Sequence, residues 1–174
     1  AEAVAYSELL DNDLTGISLS FGAGQVNVAV LSSGETVVAF STTKSGDYID
    51  HSVALATNMT DSIVQQEKEN GVDLMNPGSS MIAQAIAVYY GNLMVYTLEQ
   101  IAYELRKSPK LPKFKDAIPL VVAGGTSLPI GFIEKFKQAL AAVDMPVKIS
   151  EVRHATDPLT AVANGLALAA SMVG

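Results

Sequence analysis

The sequence predicts an α/β fold in which a mixed sheet is flanked by helices, and three observations predict it. Residues 15–43 hold three short runs rich in Val, Ile, Thr and Ser, separated by "GAG" and "SSGE", the turn chemistry of an antiparallel meander. From Asp47 the apolar spacing changes to a helical one. Beyond residue 116, strand-like apolar runs alternate with helical ones, the pattern of parallel strands joined by crossover helices.

In chain order, "AEAVAYSELL" reads as a short opening helix, followed by strands at 15–21, 25–31 and 35–43. Ile49, Val53, Ala56, Met59, Ile63 and Val64 then share helical spacing, so one helix is expected from an Asp47 N-cap to "ENG" at 69–71. After the loop "GVDLMNPGSS" a second helix is expected from Met81 to Lys107. Its apolar stripes, one through Ile82, Ile86, Tyr89, Leu93 and Tyr96, the other through Met94, Leu98, Ile101 and Leu105, imply burial on more than one side. "KSPKLPKF" is a basic, proline-broken linker. "AIPLVVAGG" reads as a buried strand, "LPIGFIEKFKQALAAV" as a helix and "PVKIS" as a strand. "DPLTAVANGLALAASMV" reads as a small-residue helix capped by Asp157, with Pro158 at its first position. The 174 residues make one domain, without internal repeats or low-complexity segments.

Composition narrows the function. Eleven basic against 18 acidic side chains give a net charge of −7, so the phosphate neutralisation that drives nucleic-acid binding is lacking and no nucleic-acid partner is expected. The absence of cysteine excludes disulfides, thiolate zinc sites and a cysteine nucleophile. Leu74 to Leu98 carries no formal charge, but its Asn, Gln, Ser and Pro residues and its continuation into Glu99, Glu104, Arg106 and Lys107 favour a buried helix over a membrane span. Nothing at the start resembles a secretory signal, and a cytoplasmic location is expected.

Three segments could approach a ligand. In "SFGAGQVN", Gly22 and Gly24 around Ala23 could turn backbone N–H groups toward a polyphosphate while Gln25 donates from its side chain; an ordinary hairpin turn explains the same residues. In "VVAGGTSLP", a strand ending in Gly124 and Gly125 leads through Thr126 and Ser127 toward a helix, and ligands bind at that edge of open α/β sheets; a plain strand–helix turn is the alternative. In "KSGDYIDHSV", Gly46 precedes the helix. His51 and His154 lack metal-ligand spacing and are expected at the surface or a boundary, and Tyr89-Tyr90 is expected to be core packing.

Taken in order, these segments resemble the second half of an actin-like ATPase, most like MreB and more distantly the heat-shock chaperone ATPases. "SFGAGQVNVAVL" is similar to the family's second phosphate hairpin, "SGDYIDHSV" to the Gly-Gly-Asp stretch after its third strand, "VVAGGTSLPIGFIEKF" to its adenosine motif, and "DPLTAVANGLALAA" to its closing helix. The resemblance implies a ribonuclease-H-like domain that binds ATP or ADP through Gly22, Ala23, Gly24, Gln25, Gly46, Gly124, Gly125, Thr126 and Ser127. It also implies a preceding N-terminal half carrying the first phosphate hairpin, and assembly into a filament or homo-oligomer; "AEAVAYSELL" resembles the family's crossing helix, whose water-orienting Glu falls just before Ala1 if Ala3 is the first alanine of the motif, the preferred alignment, or is Glu2 itself if Ala3 replaces the proline. An insertion subdomain of the MreB type is expected to be reduced or absent around 69–80.

The hairpin departs from the family pattern where its chemistry resides. Ser20 stands at the metal-side Asp, Gln25 replaces Thr and Asn27 a later Asp, so no protein metal ligand is expected, magnesium is in doubt and no catalytic residue is assigned. The chain alone is expected to be inactive as an ATPase. Two other functions fit the same residues: a non-enzymatic interaction protein on this fold, or the C-terminal half of a sugar or acetate kinase-like enzyme.

Overall fold

The computed structural model describes residues 1–173. Five strands form one open sheet: β1 Gly16–Phe21, β2 Val26–Ser32, β3 Glu35–Thr42, β4 Ile118–Ala123 and β5 Ile149–His154, in the order β3-β2-β1-β4-β5. The first three pair antiparallel, while β4 runs parallel to β1 and β5 parallel to β4. This is the mixed sheet expected of an actin-like ATPase domain. The last strand is displaced from expectation: "PVKIS" enters the sheet only at Ile149, and the pairing continues through His154.

Alternation along the strands sorts side chains by size between the two faces. Ile17, Leu19, Phe21, Val28, Val30, Leu120 and Val122 fill the larger core beneath the long helix α4 (Met81–Lys107) and its neighbours α2 (Gly46–Thr57) and α5 (Phe132–Ala142). The opposite face carries Ala29, Leu31, Val121 and Ala123, with Val4, Ala5 and Leu9 from α1 (Glu2–Glu8) and Ala161 from α6 (Ala161–Val173). Small residues let these two helices approach closely: a Cβ on Gly165 would lie 1.6 Å from the Ala3 carbonyl oxygen. Alanine and glycine here are therefore a packing requirement.

Four helix starts differ from the sequence expectation. The run after β3 splits, because Asn58 adopts φ 55° and ends α2, and α3 (Asp61–Glu69) begins anew behind Thr60. Asp47 lies inside the first turn of α2 while Ser45 occupies the N-cap, its hydroxyl donating to the Gly22 carbonyl. Gly131, at φ 77°, delays α5 to Phe132. The Asp157 carboxylate accepts from the amides of Leu159 at 3.1 Å and Thr160 at 3.3 Å, but these lie in the turn that leads into α6, which begins at Ala161 and not at Pro158.

Among the described residues one helix, α4, is long and apolar enough to cross a membrane; here Leu93, Met94, Leu98, Ile101 and Leu105 are buried in the core. Of its expected stripes the second is fully inside, whereas Ile82, Tyr89 and Tyr96 lie half-buried at its edge.

Candidate functional site

Because β1 and β4 are parallel neighbours, with Ser20 opposite Ala123, the turns that follow them leave the sheet at the same end. The 22–25 hairpin and the 3-10 turn Gly125–Ser127 meet there, and α2 starts between them. Their meeting point is one atom. The Gly22 carbonyl accepts from the Gly46 amide at 3.3 Å, from the Thr126 hydroxyl at 2.8 Å and from the Ser45 hydroxyl. The Asp47 amide donates to the Ala23 carbonyl at 2.9 Å, so the first amides of α2 are committed to the hairpin.

Steric contact accounts for two of these glycines, Gly46 and Gly124, whereas a Cβ at Gly24 would meet only the Asp47 carboxylate, at 3.8 Å. Neither Gly22 nor Gly24 adopts a positive φ, contrary to the conformational argument made from the sequence. Gly46 is glycine because a Cβ there would meet the Thr126 hydroxyl at 2.7 Å. Gly124 combines φ 96° with a would-be Cβ 2.3 Å from the Phe21 carbonyl oxygen, a position only glycine tolerates. Gly125 is exposed, and a Cβ would touch only Leu159, at 3.8 Å.

The junction borders a cavity of about 500 Å³, within the range of small-molecule sites. Of the residues singled out in the sequence, Ala23, Gly46, Gly125 and Thr126 line it. Gly22, Gly24, Gln25, Gly124 and Ser127 lie in the same turns just outside its lining. The Thr126 and Ser127 hydroxyl protons are turned inward, Ser127 donating to the Gly124 carbonyl at 2.7 Å. Ser20 is half-buried in β1, and Asn27 accepts from the Ser41 hydroxyl at 2.7 Å.

The cavity's other side was not foreseen. Gln65, Lys68 and Glu69 reach it from α3, Asp50 from α2 and Tyr90 from α4. Lys68 Nζ donates to both Asp50 carboxylate oxygens, at 2.6 and 2.7 Å, and both side chains are largely buried. Burial pushes the Asp50 carboxyl above its ordinary range, with the Lys68 hydrogen bond and charge pulling it back only in part. Tyr90 is fully buried, and its hydroxyl has no hydrogen-bond partner among the described residues. A hydroxyl so placed costs about 1–3 kcal/mol. Burial, with the Asp50 charge second, also pushes the Tyr90 phenol up, so it remains a neutral O–H donor. No sequence signal announced this group, because the i, i+3, i+4 apolar spacing around Tyr90 describes a core residue.

The histidines lie where expected. His51 is exposed, 3.4 Å from an Asp61 carboxylate oxygen. His154 is half-buried against Phe132, with Nε2 2.8 Å from the Ser127 carbonyl.

The actin-like ATPase resemblance implies magnesium beside the phosphates. Asp47 supplies one carboxylate near the hairpin, with Oδ2 3.8 Å from the Cβ position of Gly24. Among the described residues no three His, Cys, Asp or Glu side chains come together. The donor set does not fit a protein-held magnesium site, and no step is derived through that ion.

A mixed sheet of this topology, with a glycine hairpin and a Gly-Gly turn at one end, defines an actin-like ATPase fold. Solved structures agree. The ethanolamine utilization protein EutJ from Carboxydothermus hydrogenoformans superposes with TM-score 0.68 at 22% identity, over 96% of this chain and 53% of that one. A non-polymerising MamK mutant bound to AMPPNP gives 0.74 at 21%, over 94% and 55%. MreB5 of Spiroplasma citri bound to AMPPNP gives 0.70 at 16%, over 99% and 56%. The chain thus spans little more than half the length of these proteins. Among curated proteins none matches. Residues 2–171 match the family model described as Volactin, and the chain belongs to the Volactin family.

Proposed function

We propose that this chain is the second, nucleotide-binding half of a two-part actin-like ATPase, closing on ATP or ADP against a preceding half. Filament formation or conformational switching, in the cytoplasm, is the work we assign to the whole protein. One observation carries the reading: the glycine hairpin after β1 and the Gly124–Thr126 turn after β4 border one cavity at the same end of the sheet. The AMPPNP in the MamK and MreB5 structures supports it by analogy of fold.

In this reading the glycine turns bring bare backbone to the phosphates, and the α2–α3–α4 side takes the nucleoside. The first phosphate hairpin and a water-orienting Glu come from the preceding half. Phosphoryl transfer depends on positioning and charge stabilisation around the moving group, so the isolated chain should release phosphate from ATP at the buffer rate. Any residual binding by it should be weak.

The test is calorimetric titration of ADP and ATP into the complete protein, beside Gly125→Val. Room at Gly125 for a Cβ means that this variant should keep its melting temperature and lose about tenfold or more in affinity. Equal binding by the variant would remove the site from these residues. No binding by the parent would favour an interaction protein that has kept the fold and lost the ligand.

A further inference from the structure

Helix α6 is apolar on the side that faces away from the fold. Residues 161–171 carry no charged side chain, and only Ala161 and Gly165, four positions apart, are buried. These two form a narrow seam against α1, where Gly165 lies under the Ala3 carbonyl. Most of the helix stands in solvent: Leu166 is 61% exposed, and Val162, Ala163, Ala167 and Leu168 are exposed with it. A helix that is apolar all round is ordinarily buried all round. Leu159, 66% exposed, carries the patch to the rim of the cavity, since it is the residue that a Cβ on Gly125 would touch.

The surroundings of the patch say what covers it. Proteins of this fold that align along nearly the whole of this chain are almost twice as long, so they hold a second part of similar size. Ala1 packs into the same cluster as Ala161, and its carbonyl accepts from the Ser18 hydroxyl at 2.9 Å. A part joined ahead of Ala1 therefore arrives beside α6. A lipid surface suits the patch poorly, because a helix lying on an anionic membrane sets Lys and Arg on its polar face and α6 has neither.

We infer that the exposed face of α6 is the docking surface for the preceding half of the protein, with Leu159, Val162 and Leu166 as its apolar contacts. The inference rests on the two-part reading above and gives it a location. A half seated on α6 reaches the cavity rim at Gly125, so the contact that covers the apolar helix also brings the second wall to the cavity.

This chain has no cysteine, so an introduced thiol can report cover. In the complete protein without nucleotide, Leu166→Cys and Leu55→Cys are labelled with a maleimide, and each site is followed by the mass of its own peptide. Leu55, on α2, is 72% exposed, so without a docked half the two sites should react at similar rates. With the half in place, position 166 should react about tenfold or more slowly than position 55. Equal rates would overturn the inference. So would protection that is lost on dilution to the monomer, which would make a second copy the occupant. Leu166→Lys gives an independent readout: it should lower the melting temperature of the complete protein by several degrees while Leu55→Lys leaves it unchanged, and a neutral Leu166→Lys would also overturn the inference. Neither readout uses a ligand. Protection at 166 in a protein that binds no ADP would keep this interface and remove the nucleotide reading, and full labelling in a protein that binds ADP would do the reverse.

Discussion

On the sheet side of the cavity the chain meets itself backbone to backbone, whereas on the helical side it is closed by side chains that hold one another. The glycine wall joins the hairpin, the start of α2 and the 125–127 turn through the Gly22 carbonyl, with no room for a Cβ at Gly46 or Gly124. The helical floor joins α2, α3 and α4 through the Asp50–Lys68 pair and Tyr90. One region fails when an atom is added and the other when a charge is left alone, so different substitutions probe them.

The largest effect is expected at the wall. Gly124→Ala adds a Cβ in a left-handed conformation and against the Phe21 carbonyl, and should lose about 3 kcal/mol or more of stability in urea unfolding. A loss under about 1 kcal/mol would mean that the two strand ends are not locked together.

At the floor, Lys68→Met leaves the Asp50 carboxylate buried without its cation. We expect a loss of about 2–3 kcal/mol at neutral pH, at or below the lower end for buried pairs because this one borders a cavity. Pairing it with Asp50→Leu should recover most of the loss, since a buried ion pair replaced by apolar groups is often near neutral. Failure to recover would indicate that the pair does more than neutralise itself.

The pH dependence has a definite sign. Asp50 has a folded pKa raised above its ordinary 3.8, chiefly by burial, so it holds its proton more tightly folded than unfolded. That contribution is fully present below 3.8 and is lost as pH rises through the raised value. In Lys68→Met the lowering influence of Lys68 is gone, so its stability deficit against the parent should shrink as the pH is brought down. A deficit constant with pH would locate the effect in lost packing and not in charge. The smallest effect is expected for Thr126→Val, which removes one of three donors to the Gly22 carbonyl and should cost about 1 kcal/mol.

The same contrast explains what could be read from the sequence. Gly22-Ala23-Gly24 and Gly124-Gly125-Thr126 each lie within three consecutive positions, so the wall was legible as local turn chemistry, and β1 to β4 followed from alternation and apolar runs. The floor brings together residues 50, 68 and 90, and nothing local marks a tyrosine at helical core spacing as the unpaired one. The single helix expected from Asp47 onward failed at Asn58, where a polar residue able to adopt φ 55° interrupts an otherwise continuous apolar spacing. The late start of β5 has a similar cause: Pro146 and Val147 precede the sheet, and the pairing runs on past "PVKIS" through Val152, the charged Arg153 and His154.

The shared Gly22 carbonyl also bears on the order in which the molecule opens. Its side-chain donors come from 23 and 104 positions further along the chain. The first amides of α2 can exchange with solvent deuterium only once the hairpin lets go, and the hairpin is also held by the turn after β4. Exposed turns ordinarily exchange fast, yet the Gly46 and Asp47 amides should be among the slow ones, close to the rate of global unfolding. Helix α3, whose only fully buried residue is Val64, should exchange well before them. The rim of this cavity would then keep time with the core, while the helix beside it breathes on its own.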